Sequence, residues 1–164
     1  MLVVADTSPL IGLVKIGHVE ILPRLYGSVI IPPEVAAELA SRKRPAEVRA
    51  FAAAPPTWLA VRSPLTMEHI EGIDPGECAA ISLARELKAD LLLIDESRGR
   101  EAAIVRHIPT ARTAAMLLNA ANSGVLPDLK GAFDKLKATN FRVPPKVLDE
   151  LLEQHLRFVA RGPR

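Results

Sequence analysis

"MLVVADTSPLIGL" (residues 1–13) and "ADLLLIDESRGRE" (residues 89–101) each run apolar and then stop at an acid, Asp6 in the first and Asp95 in the second. The runs at 2–5 and 91–94 are continuous in hydrophobicity, the pattern of a strand buried on both faces. Further strand candidates stand at 28–31 and 58–62, with a weaker fifth near Ile108. Helical patterns fall between and after them, at about 9–16, 19–25, 33–40, 46–54, 76–88, 98–106, 113–123, 126–138 and 144–161. Strands alternating with helices predict an α/β fold: a three-layer α/β/α sandwich around a central parallel sheet. Pro and Gly punctuate it, with "IPPE" and "DPGE" opening helices and "NSGVLP" closing one.

The length of 164 residues suits a single domain, 1–164, with extra C-terminal helices from about 126 and a frayed "RGPR" tail. Hydrophobic residues make up 49% of the chain and aromatics only 4%, so the expected core is aliphatic. No apolar stretch approaches the roughly 20 residues of a membrane span and no signal peptide is recognisable, so the expected location is cytoplasmic. Cys78 is the one cysteine, which excludes an internal disulfide and a thiolate zinc site. A net charge of +2 does not mark a nucleic-acid binder by itself. Basic residues do cluster, in "SRKR" (Arg42, Lys43, Arg44) and in "ESRGRE" (Arg98, Arg100), followed by Arg106 and Arg112.

Charges at the ends of apolar runs need pairing or a cation. In an open parallel sheet, sites form beyond the carboxyl ends of strands where strand order reverses. Asp6 and Asp95 both sit at such ends, and they converge if their strands are neighbours. The alternative is that each caps the helix that follows it. Glu77 shares a helical stripe with Ala80, Ile81, Ala84 and Leu87, whereas Cys78, Ser82, Arg85 and Glu86 mark the polar side. A capping box with Asp74 would account for Glu77 locally. Glu38 borders the stripe formed by Val35 and Leu39, where a solvated role is the readier account for the residue taken singly. Glu34, in the first turn of that helix, is accounted for by the helix dipole.

Grouped carboxylates repel unless a cation neutralises them. His18, His69, His107 and His155 are scattered, so the donors are oxygens, which selects Mg²⁺ or Mn²⁺ over zinc. No phosphate-binding glycine loop followed by Lys and Ser or Thr is present, and no G-x-S-x-G elbow.

The stretches "VVADTSPLIGL", "YGSVIIPPEVAAEL" and "DPGECAAISLARELKADLLLIDESRGREAA", in this order and spacing, resemble PIN-domain proteins of the VapC-like group, related to bacterial and archaeal toxins. The resemblance continues more loosely to about Ala138. It implies a metal-dependent endoribonuclease with Asp6, Glu38, Glu77 and Asp95 as its metal-binding and catalytic acids. It further implies Thr7 and Ser8 as orienting hydroxyls and Glu96 as an outer ligand. Relatives often carry Gly-Thr after the fifth strand, where this chain has Arg112 beside Thr113 in "ARTAAMLL". The expected activity is hydrolysis of RNA phosphodiester bonds, with Arg98, Arg100 and Arg112 steering the backbone. The expected partners are an RNA substrate, a cognate antitoxin protein and a second copy in a homodimer, with no membrane. A non-catalytic PIN-like binding module and a phosphatase are the competing readings.

Overall fold

Three short apolar segments pair side by side at the centre of the structure, a computed structural model that describes residues 1–162: β1 (Val3–Ala5), β2 (Val29–Ile31) and β4 (Leu91–Leu93). With β3 (Leu59–Val61) and β5 (Thr110–Ala111) they form a parallel five-stranded sheet of order β3-β2-β1-β4-β5. The connections are helical: α1 (Thr7–Lys15) and α2 (Ile21–Tyr26) after β1, α3 (Pro33–Leu39) and α4 (Ala46–Ala53) after β2, α5 (Pro75–Glu86) after β3, and α6 (Ser97–Val105) after β4. After β5 come α7 (Thr113–Asn122), α8 (Leu129–Lys137) and α9 (Pro145–Ala160).

Alternation of side chains along each strand splits the core in two. Val3, Ala5, Val29, Ile31, Leu59 and Leu93 pack with α1–α4 and α7–α9. Val4, Leu92 and Ile94 pack with α5 and α6. Both faces are therefore covered, which is why the strands read as unbroken hydrophobic runs.

The chain steps outward from β1 through β2 to β3, then returns to the other side of β1 for β4. This reversal opens a crevice at the carboxyl ends of β1 and β4. The register pairs Val3 with Leu91 and Ala5 with Leu93, and the Asp6 amide donates to the Leu93 carbonyl at 2.9 Å. Asp6 and Asp95 therefore leave adjacent strands at almost the same level.

The fifth strand lies at Thr110–Ala111 and not at Ile108. His107 adopts φ 60° and the Ile108 amide closes back on the Ala103 carbonyl at 3.0 Å, so Ile108 ends α6 and contributes only its side chain to the core. The eighth helix begins at Leu129, later than the apolar pattern suggests. Asp128 caps it by accepting from the Gly131 amide at 2.9 Å, while the Leu126 amide is held by the Ala120 carbonyl. The side of α5 expected to meet solvent is covered at Cys78 and Ser82, both buried, while Arg85 is exposed and Glu86 half-buried. The connection over residues 62–74 lies across it: the Glu68 amide donates to Ser82 Oγ at 2.9 Å, and Arg106 clamps the Glu68 carboxylate at 2.6 and 3.0 Å. The last two positions of the expected frayed tail lie outside the described residues. Among the described residues, no helix is long and apolar enough to cross a membrane.

Candidate active site

Asp6 occupies the cap position of α1 yet makes no side-chain cap bond, and it is 3% exposed. Among the described residues no Lys, Arg or His pairs with it in an ion pair. Burial pushes its carboxyl up to about 7; Asp74, Glu38 and Asp95 add like charge, and the Thr7 amide offsets part of the effect. Capping does not account for this acid.

Glu77 is 5% exposed near the start of α5. Asp74 does cap that helix, accepting from the Glu77 amide at 2.9 Å. The reciprocal bond of a capping box, from the Asp74 amide to the Glu77 carboxylate, is absent among the described residues, so the cap uses only the backbone of Glu77. The carboxylate lies against α6 instead, where a Cβ on Gly99 would stand 2.7 Å from Oε2. Burial first, then Asp6, Asp74 and Glu96, push its carboxyl up to about 8.

The other two acids are held by threonines. Glu38 accepts a hydrogen bond from the Thr7 hydroxyl, and its carboxylate lies against Gly76, where a Cβ would stand 2.9 Å from Cδ. Asp95 does not cap α6, whose cap position is Glu96. It reaches across to β5 and α7, one oxygen accepting from the Thr113 amide at 2.9 Å and the other from the Thr113 hydroxyl at 2.7 Å. Burial raises its carboxyl, while these two bonds, Arg112 and Arg100 pull it back down.

Of these four acids, Glu77 and Asp95 reach a cavity of about 480 Å³. Asp74, Glu77, Asp95 and Glu96 form one part of its wall; Lys15, Lys43, Arg44 and Arg142 form another; Ser8, Ile11, Pro45, Asn140 and Phe141 complete it. Asp6 and Glu38 do not line it. Arg98, Arg100 and Arg112 are also outside this lining. Arg98 is exposed on α6 with Nη1 near Gly72, and Arg100 and Arg112 are half-buried beside Asp95, each with a buried Nε that has no partner among the described residues.

The sequence pattern alone marks Lys43 and Arg44 as part of a basic cluster but does not single out Asp74 as a cavity acid, nor the cations Lys15 and Arg142. Its usable signal was glycine inside helices, which costs about 1 kcal/mol relative to alanine and so marks a close approach. Gly76 and Gly99 each leave room for one carboxylate.

As the side chains stand, no three of the acids among the described residues share a point at which an ion could be held. The donor chemistry nonetheless suits a hard divalent cation. The candidate ligands are all oxygens, and Asp6 and Glu77 are buried carboxyls whose ionised forms repel neighbouring acids and have no ion-pair partner among the described residues. Asp6 and Glu77 would hold the ion, with Asp95 and Glu38 presented to it by Thr113 and Thr7.

The sequence pattern of the family described as PIN domain (DUF3368) matches residues 2–156. The chain belongs to the PIN domain family. PIN domains are predominantly nucleases and typically use divalent metals. Among solved structures, this PIN domain is similar to a PilT N-terminus domain protein, SSO1118, from the hyperthermophilic archaeon Sulfolobus solfataricus P2. The TM-score is 0.56 at 18% identity over 73% of this chain and 93% of that one, a likeness of fold. A comparison with curated proteins finds no match.

Proposed function

We propose that this PIN domain is an endoribonuclease that hydrolyses RNA phosphodiester bonds with Mg²⁺ or Mn²⁺. The observation that carries the reading is the pair Asp6 and Glu77, buried, like in charge and without an ion-pair partner among the described residues, with Glu77 on the wall of a cavity that Lys15, Lys43, Arg44 and Arg142 also line. Carboxylates so placed suit a cation, and the cationic wall suits a polyanion.

A bound divalent cation supplies an activated water and stabilisation of the departing oxygen. The residues of the chain supply the rest. Asp6 and Glu77 bind the ion. Thr7 and Thr113 fix the rotamers of Glu38 and Asp95, the role that hydrogen-bonding partners of metal ligands perform elsewhere. Lys43, Arg44 and Arg142 draw in the phosphate backbone, a sequence-independent attraction weakened by salt. Ser8 and Glu96 orient water, a role that their position on the cavity wall supports.

Incubation of a pooled RNA substrate with Mn²⁺ or Mg²⁺ tests this directly. Wild type is expected to cleave, EDTA to stop cleavage, either ion to restore it, and Glu77→Gln to abolish it. Binding without cleavage would favour the non-catalytic module. Turnover of small phosphoesters in preference to RNA would favour the phosphatase. The VapC-like resemblance extends the proposal to the toxin of a toxin–antitoxin pair, acting in the cytoplasm as a homodimer. Co-expression of the adjacent reading frame should then relieve growth arrest and copurify with this chain.

A further inference from the structure

The cavity wall is charged and polar except at Ile11, Pro45 and Phe141, and Phe141 is its one aromatic residue among those described. Phe141 sits in the connection between α8 and α9. That connection is firmly tied. Lys15 Nζ donates to Asn140 Oδ1 at 2.7 Å, the Thr139 hydroxyl donates to the Leu136 carbonyl at 2.7 Å, and the Phe141 amide donates to Thr139 Oγ1 at 3.1 Å.

The ring itself rests on α1. A Cβ on Gly12 would stand 2.9 Å from Cε2 and 3.1 Å from Cδ2, so the aromatic occupies the space a larger residue would fill. Gly12 lies in the interior of α1, where glycine weakens a helix. Ser8, Ile11, Gly12 and Lys15 form one stripe of that helix at spacings of three, four and seven, and Ser8, Ile11 and Lys15 all line the cavity. The stripe that faces the site is the stripe that seats the ring. Packing by itself asks only for a hydrophobe over Gly12; a half-buried ring flanked by Asn140 and Arg142, in a cavity also lined by Lys15, Lys43 and Arg44, has the make-up of a stacking platform.

We propose that Phe141 is a substrate-positioning residue that stacks the base of a nucleotide flanking the scissile phosphate, while Arg142 takes that nucleotide's phosphate. The inference rests on the ribonuclease reading and adds to it a residue that grips a base. A base in a platform of this kind contributes binding but no chemistry, so the effect falls on KM and leaves kcat unchanged.

The test uses a labelled RNA oligonucleotide with one mapped cleavage position, and a series in which a single abasic nucleotide is moved through the positions flanking it. Wild type with Mn²⁺ is expected to show one position at which loss of the base raises KM about tenfold at constant kcat, within the range of base–aromatic stacking. Phe141→Leu keeps a hydrophobe over Gly12. It should raise KM on the intact oligonucleotide about tenfold and show no further penalty at the abasic position. Phe141→Trp should retain the wild-type pattern. Melting temperatures separate stacking from packing: a Phe141→Leu protein that melts near wild type yet loses the abasic discrimination supports the proposal. Discrimination unchanged in Phe141→Leu, or no sensitive position in wild type, overturns the proposal while leaving the nuclease standing. Failure of wild type to cleave any RNA overturns both.

Discussion

Replacement of Asp6 by Asn should stabilise the metal-free protein at alkaline pH, an unusual outcome for a buried residue of an active site. The carboxyl of Asp6 rises from 3.8 to about 7 on folding. Between those values the folded state binds more protons than the unfolded state, so stability falls as pH rises. Its contribution is fully present below about pH 4 and lost by about pH 8. At about 1.4 kcal/mol per pH unit, roughly three units correspond to about 4 kcal/mol withdrawn at pH 8. Asn stays neutral and keeps the shape, so in EDTA Asp6→Asn should gain up to about 4 kcal/mol over wild type at pH 8. In a chain of this size that is a melting shift of about 8–16 °C. The gain should vanish near pH 4. Excess Mn²⁺ should reverse the order, because only wild type binds the ion well and is stabilised through mass action. Urea or thermal unfolding at pH 4, 6 and 8, with EDTA or Mn²⁺, measures all of this. An Asp6→Asn protein less stable than wild type at pH 8 in EDTA would refute the claim that Asp6 is uncompensated.

The two site glycines should respond differently to alanine. At Gly99 the new Cβ meets both Glu77 Oε2 and Ile94 Cδ1 at 2.7 Å, so Gly99→Ala should lose about 1–3 kcal/mol in denaturant unfolding together with RNA cleavage. At Gly76 it meets only the flexible end of Glu38, so Gly76→Ala should melt close to wild type but cleave poorly. Thr113→Val removes the hydroxyl bond to Asp95 while keeping the backbone bond. A hydrogen bond to a charged group contributes about 1.5–3 kcal/mol, and unfolding at neutral pH should register a loss of that order. Lys43 and Arg44 line the cavity, so replacing both by Ala should lower the slope of log affinity against log salt for single-stranded RNA by about 1.4, as expected for two phosphate contacts. The same change at Arg98 and Arg100 should have a smaller effect, since neither lines the cavity.

The sequence by itself determined the fold class and which acids stand at the ends of its apolar runs and stripes. Continuous apolar runs at β1, β2 and β4 report burial on both faces, a property each strand carries in its own residues. The glutamate on the apolar stripe of α5 announced a buried carboxylate in the same local way, and Glu77 is 5% exposed. Tertiary structure decided what the acids touch. Asp95 could have capped α6, as its position in the chain allows, but the pairing of β4 with β5 brings Thr113 within reach of both its oxygens. Glu38 and Thr7 are 31 residues apart and meet through the packing of α1 on α3. The covered polar side of α5 escaped periodicity because its cover is an irregular connection, which has no period to read. The cationic wall was legible only in part: Lys43 and Arg44 cluster along the chain, but Lys15 and Arg142 come from separate parts of it, and a charge shows in sequence only its neighbours along the chain, never those across a cavity.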